Sequence, residues 1–372
     1  MYNLKNNLVS FGLILLSLTV SAQEYRTETG EIDGAKYTIY FPDNWENKLV
    51  IFAHGYEAMG SPRSLDQDRF PGLFKPMLDE GYAVAASYYK HQGFALETGI
   101  EDSEHLRQKF TEEFGRPDST FIAGMSMGGG VAIGVSEKYG QSYDGALCMC
   151  PLTSRPYLQT RKEFDLISAF NAMYPGYLPP ISDIMNPDIP APDFTQIMAK
   201  TQEINKIITE DSVRASKLAA RYDLRLSDLA FTLGFGQNVL NDIAVKAGGN
   251  PYDNRNTIYD GLGDDYEINQ NVVRMSADPS AYDYMTRYSP TGELPIPAVF
   301  LHTVYDQLIP ARLAIDNYRD MLEQKGRLDH MVLFFTSGQG HCRFTAGEIS
   351  HAFNSLRKWK ATGATPQPGG IK

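Results

Sequence analysis

Two tryptophans and three cysteines among 372 residues leave several structural classes without their raw material. Three thiols are too few for a disulfide-dense scaffold, and no Cys/His cluster has zinc-ligand spacing, so no metal is expected. Basic side chains number 34 against 45 acidic ones, a formal net charge of −11, with no Lys/Arg block. Such a chain lacks the electrostatic footprint of a nucleic-acid binder. Glycine and proline, at 32 and 21, follow no three-residue period, which excludes a collagen-like helix. Solenoid repeats and a glycine-rich phosphate loop are both missing, so no cofactor is expected. The stretch Asp260 to Asp265 is acidic but lacks the alternating ligand spacing of a calcium loop, and reads as a solvated turn.

What is present is ordinary for a packed protein: 42% hydrophobic and 21% charged residues. A chain this apolar can offset its ordering entropy by burial, so disorder is excluded. Lys5, the apolar run Leu8–Val20 and the small residues Val20-Ser21-Ala22 have the form of a signal peptide cut after Ala22. The run is shorter than the roughly 20 residues that span a bilayer. The mature protein is therefore expected to be secreted or periplasmic, with no integral membrane span.

Apolar runs at 34–41, 48–53, 81–88, 119–123, 145–150, 297–303 and 329–336 read as strands. Helical periods lie between them at 99–114, 127–139 and 310–324, and a last helix starts at Thr345, with Glu348 completing a capping box. Apolar strands alternating with helices predict an α/β class: a mostly parallel sheet covered on both faces. Residues 151–294 interrupt this alternation and are far too long for a loop. They carry helical stretches at 161–173, 194–210, 212–222, 227–234, 237–247 and 265–275, and read as a mostly helical cap. The expected organisation is a core of 23–150 and 295–363, the cap at 151–294, and a flexible tail at 364–372.

Gly124-Met125-Ser126-Met127-Gly128 fits G-x-S-x-G between a strand and a helix. The pattern puts a serine at the tip of a sharp turn, where flanking side chains larger than hydrogen would clash. A serine hydroxyl needs a base. Of the seven histidines, His341 lies in a loop between the last strand and the last helix, whereas His302 lies inside an apolar strand as a core histidine would. Loops past the C-terminal ends of parallel strands carry the active sites of such sheets. Asp306 follows a strand directly and stands between serine and histidine in the chain; Asp316, Asp320 and Asp329 lie in a helix or at a strand start, from which a loop histidine is hard to reach.

With these residues in place the chain resembles an α/β-hydrolase. GMSMGG is similar to that family's nucleophile elbow, YDQLIP to its acid loop, GHC to its histidine loop, and Ala53-His54-Gly55-Tyr56 to its oxyanion loop. The resemblance covers 35–150 and 296–360. It implies eight mostly parallel strands and an oxyanion hole made by the backbone N–H groups of Tyr56 and Met127. Tannases and fungal-type feruloyl esterases pair a cysteine beside the histidine with one beside the serine; here Cys342 follows His341, but Met125 precedes Ser126. Cys148 and Cys150 end the strand next to the nucleophile strand, and either could bridge to Cys342, Cys150 being favoured as nearer the strand end.

The leading expectation is a secreted serine hydrolase acting on carboxylic esters, either small molecules or carbohydrate-linked, with Ser126 as nucleophile, His341 as base and Asp306 as orienting acid. A serine peptidase of the prolyl-oligopeptidase kind uses the same chain order. A binding protein that kept the fold and lost catalysis is a third possibility, of another class. Cap aromatics such as Tyr174 and Tyr177 are expected to wall the substrate pocket.

Overall fold

The computed structural model describes residues 25–63, 69–190 and 194–372. Segment 1–22, expected from the sequence to be a signal peptide, lies outside them. Among the described residues nine strands form one sheet: β1 Tyr25–Ile32, β2 Ala35–Pro42, β3 Lys48–Ala53, β4 Tyr82–Ser87, β5 Ser119–Met125, β6 Gly145–Met149, β7 Ala298–Tyr305, β8 Met331–Gln339 and β9 Gly369–Gly370. Their spatial order is β1-β2-β4-β3-β5-β6-β7-β8-β9. β2 is antiparallel to both neighbours, and every pair from β4 onward is parallel. Strands β3 to β6 read as unbroken apolar runs because both sheet faces are covered.

On the core side the helices are α1 Arg69–Leu78, α2 Leu96–Phe114 and α3 Met127–Tyr139, with α11 Ala311–Gln324 and α12 Ala346–Thr362 after β7 and β8. α12 begins with the expected capping box: Thr345 Oγ1 accepts from Glu348 N, and the Glu348 carboxylate accepts from Thr345 N.

Among the described residues seven helices stand between β6 and β7: α4 Pro156–Met173, α5 Ile181–Ile184, α6 Phe194–Glu210, α7 Ser212–Arg221, α8 Leu226–Ala247, α9 Asp265–Asn271 and α10 Pro279–Arg287. The sequence suggested two helices at 227–234 and 237–247, but α8 is continuous. Gly234 and Gly236 lie where a side chain would collide with Thr201 and Glu163, so they let α6 and α4 pack close rather than ending the helix. The insertion has its own apolar cluster around Phe164, Phe170, Leu218, Leu233 and Tyr252. It is also welded to the sheet, because Val239, Ile243 and Met285 belong to the core beneath.

Of residues 364–372, expected to be a flexible tail, Gly369–Ile371 lie against the sheet. Gly369 and Gly370 pair with Phe334 and Phe335 of β8, and Ile371 N donates to Phe335 O. Beside the Phe335 ring a Cβ at position 370 would lie 3.1 Å from Cε2, so glycine eases the approach. The eight strands implied by the resemblance are β1–β8, and the tail adds a ninth. Among the described residues no helix is long and apolar enough to cross a membrane.

Candidate active site

Strands β5, β7 and β8 end on one edge of the sheet, and each delivers one polar side chain to it. Ser126 stands between β5 and α3 with φ 60° and ψ −125°, a conformation rarely adopted by a residue with a side chain. The flanking glycines make the turn possible. A Cβ on Gly124 would lie 2.0 Å from Gly128 O, and one on Gly128 would lie 2.1 Å from Ala53 O. The turn is tied to β6 and its exit loop by Ser126 N donating to Met149 O and Leu152 N donating to Ser126 O, at 2.9 and 3.0 Å.

Asp306 follows β7 and is 4% exposed. One carboxylate oxygen accepts from Leu308 N and Ile309 N, each at 2.9 Å. The other accepts from His341 Nδ1 at 2.8 Å. Burial alone would raise this carboxyl, but the His341 hydrogen bond and charge, with the Ile309 N–H, hold it below its ordinary value. It is therefore an anion at neutral pH.

His341 follows β8, and its Nε2 lies 2.8 Å from Ser126 Oγ. Its backbone is held by Gln307, whose side-chain oxygen accepts from His341 N at 2.9 Å. The next residue, Cys342, forms a disulfide with Cys150 at the end of β6, with Cα atoms 5.4 Å apart. Cys148 is the free, buried thiol. Among the described residues one Cys/His trio is close enough to share an ion, namely Cys150, His341 and Cys342, and the disulfide occupies both of its sulfurs.

The sheet order with its single antiparallel reversal at β2, the strained serine after β5, the acid after β7 and the histidine after β8 together decide the architecture. The chain has the α/β-hydrolase fold. No protein-family profile matches it. Among curated proteins it is similar to the o-phthalyl amidase of Xanthobacter agilis, 22% identical over 412 residues that cover 92% of this chain and 89% of the amidase. Solved structures that overlay on it include an acylaminoacyl peptidase from Pyrococcus horikoshii, with TM-score 0.49 and 8% identity over 94% of this chain. The overlay covers 44% of that peptidase, so the chain spans less than half its length. The esterase Est1E from Butyrivibrio proteoclasticus overlays with TM-score 0.45 and 12% identity, covering 90% of this chain and 98% of that one.

In this fold the segment after β3 packs against the serine turn: a Cβ on Gly55 would lie 3.2 Å from Ser126 Cβ. His54 is buried and stacked on Tyr89, with ring centroids 4.0 Å apart, and its Nδ1 donates to Gly55 O at 2.7 Å. Burial lowers its pKa and keeps it neutral. Because a trans peptide points its C=O and N–H in opposite directions, fixing Gly55 O also fixes the direction of the Tyr56 N–H. Met127 opens α3, so its N–H has no intrahelical acceptor. His302 is a buried core residue whose Nδ1 donates to Thr303 O.

The insertion reaches this edge through α8. Asp228 accepts from Tyr305 OH at 2.6 Å, and Asn238 Nδ2 donates to Tyr56 OH at 2.9 Å. Asp242 accepts from Phe94 N. None of these contacts is visible in the sequence, because the partners lie 77 to 182 residues apart. The aromatics expected at the pocket do something else: Tyr174 is 4% exposed in the insertion's own core, and the half-buried Tyr177 packs against that core.

Proposed function

We propose that this protein is an exported serine hydrolase that cleaves carboxylic esters, with Ser126 as nucleophile, His341 as general base and acid, and Asp306 holding the imidazole. The observation that carries the reading is the run of two 2.8 Å contacts, from Ser126 Oγ to His341 Nε2 and from His341 Nδ1 to Asp306 Oδ2, built on a strained turn at the sheet edge.

In the proposed reaction Ser126 Oγ attacks the ester carbonyl carbon while its proton passes to His341 Nε2. The charge on the carbonyl oxygen is met by the N–H groups of Tyr56 and Met127, a term often worth 10²–10³ in rate per donor. Collapse of the tetrahedral species breaks the acyl–oxygen bond, and His341 returns the proton to the departing alcohol. Water then gives a proton to His341 and attacks the acyl-enzyme, which releases the acid and restores Ser126. The Asp306 carboxylate orients the ring and stabilises the imidazolium in both steps.

The similarity to a protein named o-phthalyl amidase favours a second reading, hydrolysis of an amide by the same residues. The test is a panel of p-nitrophenyl esters and aminoacyl-anilides assayed with the wild type and Ser126→Ala. Ester turnover that disappears in the variant supports the first reading, and anilide turnover that disappears supports the second. Turnover unchanged by Ser126→Ala would sink both, and binding without turnover would leave a non-catalytic protein.

A further inference from the structure

α8 crosses the catalytic edge and is fastened on both sides of it. Near its start Asp228 holds Tyr305, the residue before Asp306. Further along Asn238 holds Tyr56 in the oxyanion loop, and Asp242 holds Phe94. Asp228, Phe231, Phe235, Asn238 and Asp242 are spaced by steps of three and four and so share one helix face. The polar members hold Tyr305, beside Asp306, and Tyr56, and Phe231 and Phe235 stand between these anchors on the same helix face.

Only the inner of these two rings meets a core: Phe235 is half-buried against the sheet's apolar cluster, and Phe231 lies outside it. Phe231 is 48% exposed, although it shares a face with the helix's anchoring residues. It stacks on Phe235 with centroids 6.0 Å apart and planes 21° apart. Phe235 in turn meets Tyr56 edge-on at 5.6 Å. The three rings form a row that starts beside the oxyanion loop and runs outward to solvent.

The reaction limits which part of an ester can face this row. The departing oxygen has to face His341 to receive its proton, so the acyl substituent takes another side of the carbonyl carbon, and the segment that carries Tyr56 packs against the serine turn. We propose that Tyr56, Phe235 and Phe231 form an acyl subsite for an aromatic ring, making the preferred substrates esters of benzoic-type acids. Ring edges and faces placed like these offer a planar guest both stacked and edge-on contacts, an attraction beyond apolar area alone. The proposal rests on the hydrolase reading above and deepens it.

The experiment compares p-nitrophenyl benzoate with p-nitrophenyl butanoate, which share a leaving group. In the wild type kcat/KM should favour the benzoate. Phe235→Ala should lower kcat/KM for the benzoate about tenfold, mostly through KM, and for the butanoate about twofold. Phe235→Leu, which keeps apolar bulk, should restore the butanoate and not the benzoate. Phe231→Ala, at an exposed position where folding is not at stake, should lower the benzoate-to-butanoate ratio in the same direction. In a second arm, independent of turnover, Ser126→Ala protein should bind benzamide more tightly than butanamide and lose that preference with Phe235→Ala. Ser126-dependent turnover with an unchanged ester ratio in both phenylalanine variants would overturn the subsite and leave the hydrolase reading standing. Absence of turnover alongside a Phe235-dependent preference for benzamide would uphold the subsite and remove the hydrolase reading.

Discussion

The sheet and the insertion hold their polar groups in different ways. In the sheet, polar side chains gather where the strands end, and hydrogen-bonded strand neighbours set their positions: Ser126 by β5 and β6, Asp306 by β7, His341 by β8. In the stretch of the insertion around residues 250–276, polar side chains hold the irregular segments together. Asn250 donates to Tyr252 O and Ser276 O, Asn254 donates to Val273 O and accepts from Met275 N, and Asn269 donates to Tyr259 O. Asp265 gathers the N–H groups of Gly261, Leu262 and Gly263. A ladder of strands can place three groups with little tolerance for error. A web of side-chain bonds can change shape while the ladder stays fixed.

If that division is right, changes at the sheet edge should strike the chemical step, and changes in the insertion should strike stability or selectivity. The largest effect is expected for Ser126→Ala, which should lower kcat by about 10³-fold or more, roughly 4 kcal/mol of barrier, with an unchanged melting curve. Reduction of Cys150–Cys342 comes next. Loss of this bond should cost about 2–4 kcal/mol of unfolding free energy, the usual range for a disulfide, seen as a lower urea midpoint, and activity should fall with it because the His341 loop loses its tether. Stability lost with activity untouched would break the link between that tether and the base.

The third prediction lies in the insertion. Glu163 is buried against α8, and desolvation raises its carboxyl to about 7, Lys162 opposing only in part. The folded state therefore prefers the protonated acid. That preference is fully present below the carboxyl's unfolded value and fades as pH rises through about 7. Melting temperature should fall between pH 5 and 8, by an amount that corresponds to roughly 3 kcal/mol. Glu163→Gln should flatten this slope without changing kcat, and an unaltered slope would place the titration elsewhere. The smallest effect is expected for Asn238→Ala, which frees the Tyr56 hydroxyl. It should cost about fivefold in kcat/KM, near 1 kcal/mol, with folding intact.

Much of the sheet was legible because both of its faces are buried, which turns β3 to β6 into unbroken apolar runs. β1 was not, since Tyr25–Ile32 is an edge strand with a mostly polar sequence. α10 escaped notice for a related reason: in Pro279–Arg287 only Ala281 and Met285 are buried. The candidate triad could be read from motif and chain order, because a tight turn imposes glycine at fixed positions. The row of Phe231 and Phe235 could not, because a phenylalanine over a cleft and one in a core look alike until the fold brings Tyr56 beside them.

The short strand at Gly369–Gly370 also bears on how copies of the protein meet. A parallel sheet that ended at β8 would present a row of unpaired backbone groups, with Phe335 43% exposed along it, an invitation to another molecule's strand. By occupying part of that row, the chain's own last residues compete with such a neighbour at very high effective concentration. Self-association through this edge first requires peeling the segment away, so shortening the chain before Gly369 should turn a closed margin into an adhesive one.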